Sequence, residues 1–167
     1  MALGRLGILT ALTRATATIT STGEEDMKIS ELFTICGYTY CFGHAGSFDT
    51  SSILFTSQDA TANLGTLVKA INDTGTADED YLAAHPGIPN PFCSAAQAAD
   101  VVTLTSRTAG EIGNLLAITE STTGCSLSGA TFSGGTGHIW TAINEMQAAC
   151  QLNAELIALL AYLETGE

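Results

Sequence analysis

Residues that could bind a metal ion or act as nucleophiles are few in this chain and lie far apart in sequence. The cysteines are odd in number and include no CxxC pair, so they do not form the disulfide framework of a secreted domain. We interpret all five as reduced thiols that serve as small apolar residues. They are Cys36, Cys41, Cys93, Cys125 and Cys150.

The histidines do not complete a metal site. Cys41 precedes His44 by three residues, but nothing supplies the two further ligands of a structural zinc ion at a recognisable spacing. We interpret His85 as a loop residue and His138 as part of the first turn of a helix. The sequence therefore predicts no metal and no cofactor.

Catalytic motifs are also missing. Asp78, Glu79 and Asp80 lack the DxDxDG spacing of a calcium loop, and a solvated acidic loop is the simpler interpretation. Ser128 and Ser133 each precede a glycine but lack the earlier glycine that a nucleophile elbow requires. A phosphate-binding loop has a lysine directly after its glycines, and no lysine follows the glycines of TAGEIGN. We predict no catalytic residue and no enzyme.

Composition indicates a protein whose surface meets other proteins. The chain has 167 residues, of which 46% are hydrophobic and only 13% are charged. Its net charge of −12 and its scattered basic residues argue against nucleic-acid binding, which needs clustered Lys and Arg. No stretch reaches the roughly 18 apolar residues of a membrane span. Residues 6–12 imitate a signal peptide, but the run is short and Arg14 lies before the would-be cleavage site.

One strand and one hairpin begin the predicted domain. Residues 15–21 alternate apolar side chains with threonines, as a half-buried strand does. Two further strands within residues 29–42 flank Cys36-Gly37 at the spacing of a tight hairpin. In that hairpin Cys41 lies opposite Leu32, so Cys36 and Cys41 are not natural disulfide partners.

One amphipathic helix interrupts the β-pattern at residues 59–72. Ser57 or Asp59 can cap its first turn, its apolar residues fall on one face, and Gly75 is the expected terminator. Residues 74–99 give no firm assignment beyond a short helix at 78–84.

Residues 101–135 carry the densest β-signal. Val102 and Leu104 alternate with threonines, and the pattern is interrupted by a glycine corner at Gly110 and Gly113. An apolar run, a turn and a last short strand follow, which predicts an antiparallel arrangement.

This stretch resembles a repeated building block of tailed-bacteriophage structural proteins, seen in tail, fibre and other virion components. In that block a segment of the form VTxTA[RK]TxGxxGNxI precedes an ending like GATLSGG; here residues 102–114 and 128–135 match it. Residues 35–42 resemble the block's INGxTYTF hairpin, and residues 59–72 resemble its DxAxNLxxAIN helix. The chain departs from the pattern at the hairpin turn, where Cys36 replaces the usual asparagine. The resemblance covers roughly residues 15–135 and implies a phage virion protein.

The C-terminal segment, residues 136–167, predicts a long helix with two neighbouring apolar stripes. Such a helix must be covered, either by its own sheet or by copies of itself. Asn153 within the first stripe is the kind of polar residue that sets register in a helical assembly. The first stripe is Ile139, Ile143, Met146, Cys150, Asn153, Ile157 and Leu160; the second is Leu152, Leu156, Leu159 and Leu163.

Residues 1–14 form the other apolar segment. They carry five large aliphatic side chains and no acidic residue, which favours an arm laid on a neighbouring subunit over a first element packed on the parent domain. The aliphatic residues are Leu3, Leu6, Ile8, Leu9 and Leu12.

Together the patterns predict an α+β fold: an antiparallel β-sandwich or barrel-like sheet with one amphipathic helix and a long C-terminal helix. The expected organisation is an N-terminal arm at 1–14, a β-rich virion domain at 15–135 and the C-terminal helix at 136–167. The predicted interface residues are the five arm aliphatics with Ile139, Ile143, Met146, Asn153, Leu156, Ile157, Leu160 and Leu163.

The resemblance and these surfaces predict a non-enzymatic virion protein, with a capsid decoration or cement protein that clamps neighbouring subunits as the leading interpretation. A tail, fibre or baseplate component is the close alternative, and a carbohydrate- or host-binding module is a further one. The expected partners are the protein itself, with a trimer favoured, and other virion proteins such as the major capsid protein. Neither nucleic acid nor membrane is expected as a partner. The protein would act in the virion after assembly in the host cytoplasm.

Overall fold

The computed structural model describes residues 12–22, 31–43, 52–54, 59–76, 80, 87–137 and 139–165. Within those ranges the chain forms strands, two α-helices and one 3-10 helix. In chain order they are β1 (Arg14–Ser21), β2 (Leu32–Ile35), β3 (Tyr38–Gly43), β4 (Ser52–Leu54), α1 (Ala60–Asn72), β5 (Cys93–Ala98), β6 (Val101–Ala109), the 3-10 helix (Glu111–Leu115), β7 (Ile118–Glu120), β8 (Cys125–Leu127) and α2 (Ile139–Thr165).

The strands are arranged in two four-stranded sheets. Sheet A has the order β5-β6-β1-β8, and sheet B has the order β4-β3-β2-β7. The α+β prediction is confirmed. The antiparallel prediction is wrong for β4, which pairs with β3 in parallel. β4 lies beside the last three residues of β3, with Cys41 opposite Ser52 and Gly43 opposite Leu54.

The sheets are joined at one side and separated at the other. The segment 128–133 forms bridges with both sheets. Ser133 pairs with Thr16 of β1 in sheet A, and Thr131 pairs with Ala117, which directly precedes β7 of sheet B. At the opposite side, α1 contacts both edge strands, β4 and β5. The two sheets therefore do not close into a barrel, and α1 lies beside the edge strands β4 and β5.

Helix α1 forms as its sequence predicts. The side chain of Asp59 accepts a hydrogen bond from the Thr61 N–H at 2.9 Å, which caps the first turn. The predicted terminator is wrong by two residues, since Asp73, with φ 55° and ψ 49°, takes the left-handed position instead of Gly75. Asp is among the few residues that adopt this conformation at small cost, because its short polar side chain hydrogen-bonds locally.

Both sheets and α1 contribute to one hydrophobic core. Alternation along β1 and β6 turns every second side chain inward, and one face of α1 packs against them. The rings of Phe33 and Phe42 meet edge to face, with centroids 6.1 Å apart. The largest fully buried side chains are Phe33, Phe42, Phe132, Ile19, Ile35, Leu64, Leu67, Ile71, Leu104 and Ile118.

The β2–β3 hairpin has the predicted register, with Leu32 opposite Cys41. Both turn residues have positive φ, 53° at Cys36 and 84° at Gly37, as two-residue hairpins of this hand require. Glycine adopts such angles freely, whereas a cysteine does so at a cost of about 1 kcal/mol.

The junction between the body and α2 is closely packed. Gly137 has φ 86°, and a Cβ atom placed there would lie 2.6 Å from Leu12 Cδ2. The N–H of Thr13 donates to Thr136 O at 3.1 Å, and the Gly110 N–H donates to Thr13 O at 2.7 Å. Leu12, which the sequence assigns to the arm, thus packs against its own chain. Leu3, Leu6, Ile8 and Leu9 lie outside the described residues, so their role stays a prediction.

Candidate functional site

The main candidate surface is the exposed side of α2. Every described side chain from residue 147 to 164 is exposed, and the helix is about 40 Å long at 1.5 Å per residue. The large hydrophobic side chains among them are between 50% and 69% exposed. They are Leu152, Leu156, Ile157, Leu159, Leu160, Tyr162 and Leu163.

Five leucines of α2 share one side of the helix. At about 100° per residue they fall within an arc of roughly 100°, while Gln147 and Gln151 project from the opposite side. We call this arc the leucine face. It consists of Leu152, Leu156, Leu159, Leu160 and Leu163.

The leucine face is not covered by the chain's own sheets, since its side chains are at least half exposed. Asn153 and Ile157, also predicted as interface residues, are exposed beside it. Ile139, Ile143 and Met146 belong to the same helix, but their side chains lie outside the described part of the structure. The sequence allowed two covers for this helix, the domain's own sheet or copies of the helix. The domain's own sheet does not cover residues 147–164.

A second apolar surface surrounds the β2–β3 turn. Tyr38 and Phe92 are 46% and 47% exposed, and their rings lie 6.3 Å apart at a tilt of 54°. Leu115, next to them, is 78% exposed, because the glycine corner at residues 110–113 turns it away from the core. Phe92 and Leu115 border a hollow of about 230 Å³, whose other lining residues are Cys36, Gly37, Leu116 and Ala117.

The thiol of Cys36, at this hollow, interacts with the buried thiol of Cys93. They share a side-chain hydrogen bond, which lowers the pKa of Cys36. The same bond, together with burial, raises the pKa of Cys93. Sequence reasoning missed this pair because the residues lie far apart in the chain and β5, which carries Cys93, has no strong strand signal.

Two arginines line a cleft of about 490 Å³ on sheet A, together with Ser94, Thr105 and Ser106. Arg14 donates from Nη1 to the backbone oxygens of Ser106, at 2.9 Å, and of Arg107. Arg107 donates from Nε to Asn90 O at 2.8 Å and to Cys93 O at 3.1 Å. Both guanidinium groups bind carbonyl oxygens of their own chain, so their first role is to hold sheet A together.

The described ranges contain neither a cluster of metal-binding side chains nor a membrane-spanning helix. No three His, Cys, Asp or Glu side chains there come close enough together to hold a metal ion. Asp80 pairs with Lys69 Nζ at 2.6 Å, whereas the three histidines, Asp78 and Glu79 lie outside those ranges. Neither described helix has the length and hydropathy needed to cross a membrane.

No protein-family model matches the chain, and no curated protein is significantly similar to it. The resemblance to phage structural proteins accordingly rests on the motif residues named for it. Among the exposed surfaces of the described residues, the leucine face of α2 has the largest number of apolar side chains.

Proposed function

We propose that this protein is a non-enzymatic structural subunit of a tailed-phage virion, which self-associates through the leucine face of α2. The observation that carries the proposal is the exposure of five leucines on one side of a 27-residue helix. Burial of an exposed leucine stabilises an assembly by roughly 1 kcal/mol or more. Five leucines per copy therefore supply several kcal/mol, on the scale of the entropy that association costs.

The charge of α2 favours an apolar contact between copies over interhelical ion pairs. Between residues 139 and 165 the helix contains glutamates but neither lysine nor arginine. Copies of a chain with net charge −12 repel one another, and salt screens that repulsion. Assembly through the leucine face should therefore strengthen when the salt concentration rises.

The test is sedimentation of the full chain at micromolar concentration. We expect the unmodified protein to form a defined oligomer and the double variant Leu156→Asp/Leu160→Asp to sediment as a folded monomer, because the contact would bury two charges per copy. Gln147→Asp/Gln151→Asp is the matched control, since it adds the same charge on the opposite side of the helix. An unmodified protein that sediments as a compact monomer would contradict self-association through α2.

Within the virion we favour a capsid decoration or cement protein, which docks on neighbouring subunits such as those of the major capsid protein. A small β-domain with an apolar N-terminal segment and an exposed helix suits a clamp between subunits. A tail, fibre or baseplate subunit is the alternative in the same class. Electron microscopy of intact particles carrying a labelled copy distinguishes capsid from tail.

A second candidate function, binding of a carbohydrate or host surface, is favoured by the exposed Tyr38–Phe92 pair. Aromatic rings beside a shallow hollow can stack on the apolar faces of sugars. Binding that is lost in Tyr38→Ala and Phe92→Ala but kept in Leu156→Asp/Leu160→Asp would assign the hollow to a ligand. Glycan screening of the purified protein provides the ligand for that comparison.

A further inference from the structure

Cys36 and Cys93 belong to different sheets, and the Asn90 amide hydrogen-bonds the backbone beside Cys36 and the backbone of Cys93. Cys36 occupies the β2–β3 turn of sheet B, and Cys93 is the first residue of β5 in sheet A. We propose that these two residues are a modification site, at which a small-molecule disulfide such as oxidised glutathione converts them into a reversible intersheet disulfide.

Contacts around the two thiols hold their backbones together independently of the sulfur atoms. The amide of Asn90 donates to Ile35 O, which belongs to the peptide before Cys36, and accepts from the N–H of Cys93; both distances are 3.3 Å. Two residues beyond Cys36, the ring of Tyr38 packs against Phe92, the neighbour of Cys93. One side-chain amide and one ring pair thus fix the turn against the start of β5.

Turn geometry gives no reason for a cysteine at position 36. With φ at 53°, this site suits asparagine, aspartate or glycine, and the chain carries a less favourable residue there. A residue kept in a disfavoured conformation suggests a role for its side chain. Here the side chain packs against the hydrophobic core that contains Cys93.

The accessibility of the thiols sets the order of reaction. Cys36 is partly exposed at the hollow, whereas Cys93 is fully buried. The Cys36 thiolate attacks one sulfur of oxidised glutathione, forming a mixed disulfide and releasing one glutathione thiolate. Cys93 then loses its proton and attacks Cys36 Sγ, which forms the intersheet disulfide and releases the second glutathione. Two thiols are oxidised and one glutathione disulfide is reduced to two thiols.

The bond would link the two sheets between residues 36 and 93, a long stretch of chain. A disulfide that closes a long loop restricts the unfolded chain strongly. Oxidation should therefore raise the melting temperature by roughly 5–15 °C for a domain of this size. Sheet contacts should otherwise remain as they are, because the Asn90 amide already holds the two backbones together.

The experiment uses the full chain with Cys150→Ser, since Cys150 is exposed on α2 and would crosslink copies. The protein is incubated with oxidised glutathione, digested and analysed by mass spectrometry without reduction. We expect a linked pair of peptides containing residues 36 and 93, lighter by two hydrogens than the free pair and separated again by dithiothreitol. The melting temperature should rise on oxidation and fall back on reduction.

Two variants make the result specific. Cys36→Asn keeps a residue suited to the turn, so it should fold, and it should show neither the linked peptide nor the rise in melting temperature. Cys41→Ser removes a partly buried thiol from the same hairpin and should behave as the parent does. The proposal is overturned if glutathione remains attached to Cys36 without a linked peptide, if Cys36 does not react, or if Cys36→Asn shows the same rise.

Discussion

Asn90 is 1% exposed, and its amide group serves both sheets. Its Nδ2 donates to Ile35 O at 3.3 Å and to Tyr40 Oη at 3.1 Å. Its Oδ1 accepts from the N–H groups of Phe92, at 3.0 Å, and Cys93, at 3.3 Å. The backbone of Asn90 also binds α1, because its N–H donates to Ile71 O at 2.8 Å. A polar side chain this deeply buried is tolerated because the amide is hydrogen-bonded on both of its atoms.

Replacing Asn90 by alanine should lower the free energy of unfolding by about 2–4 kcal/mol. The change leaves buried N–H and C=O groups without a partner, and each such group costs roughly 1–3 kcal/mol. Urea denaturation followed by fluorescence measures the loss. Thr119→Ala, at an exposed position of β7, is the control and should change stability by less than about 0.5 kcal/mol. A loss below 1 kcal/mol for Asn90→Ala would show that the amide does not hold the sheets together.

Tyr40 predicts how stability depends on pH in the alkaline range. Burial raises the pKa of Tyr40 from 10.0 to about 12. The folded state therefore holds the phenol proton more tightly than the unfolded state does. Its contribution is complete below about pH 10 and is lost as the pH rises toward 12, by roughly 1–3 kcal/mol. Tyr40→Phe should flatten the loss of stability between pH 10 and 12.

Cys125 provides the comparison for this pH dependence. Burial raises the pKa of its thiol from 9.0 to about 11, so its contribution is lost mainly between pH 9 and 11. Cys125→Ala should flatten the loss of stability between pH 9 and 10 and leave the loss between pH 11 and 12 unchanged. If urea midpoints of Tyr40→Phe and of the parent fall in parallel from pH 10 to 12, Tyr40 does not control this transition.

At the scale of elements, α1 protects an edge of sheet A. Strand β5 pairs with β6 on one side, and on the other side the Asn72 side chain replaces a neighbouring strand. Its Nδ2 donates to Ala95 O at 2.7 Å, and its Oδ1 accepts from the Ala95 N–H at 3.0 Å. Gln97 extends the contact by donating to Thr61 O at 2.9 Å. An edge strand satisfied in this way offers fewer free groups to another chain.

Asn72→Ala should expose the Ala95 N–H and speed its hydrogen exchange at least tenfold. Alternation along an antiparallel strand turns the N–H of Ala96 toward β6, so its exchange is the internal control. Amide exchange measured by NMR on the folded protein distinguishes the two sites. Equal exchange of Ala95 in the parent and the variant would mean that the Asn72 amide does not protect the edge.

At the scale of the whole molecule, the N-terminal segment divides at about residue 12. Leu12 packs against Gly137, and Thr13 hydrogen-bonds Gly134 O at 2.9 Å and Thr136. Arg14, also counted with the arm by the sequence, binds carbonyl oxygens of sheet A. Residues 12–14 therefore belong with the body in this structure, and the arm hypothesis concerns the residues before them.

Deleting residues 2–11 should leave the two sheets folded, because the contacts of Leu12, Thr13 and Arg14 are kept. If the segment clamps a neighbouring virion subunit, binding to particles that lack the protein should fall tenfold or more. The estimate assumes roughly 1 kcal/mol or more for each buried aliphatic side chain. Co-sedimentation with the particles measures the change, and circular dichroism checks the fold. Unchanged affinity would remove the clamp from the proposed function, whereas unfolding would place these residues in the core.

Local periodicity was enough to predict several parts of the fold. The alternation in β1 and β6, the Leu32–Cys41 register and the face of α1 all follow from neighbouring residues in the chain. Each depends on a repeat of two or about 3.6 residues, and the buried hydrophobic surface selects the same repeat in the folded protein. The length of α2 and its apolar stripes were visible for the same reason.

What the tertiary structure alone decided depends on contacts between distant segments. The CSAAQA segment of β5 has few strong strand formers, yet β6 and the Asn72 amide make it a strand by supplying hydrogen bonds on both sides. The parallel direction of β4, the binding of Arg14 to its own sheet and the Cys36–Cys93 contact are likewise outside the reach of any local pattern. The sequence showed that α2 is apolar enough to require a cover. Only the fold decides that the sheets leave its leucine face uncovered, because their inner faces are already filled by each other and by α1.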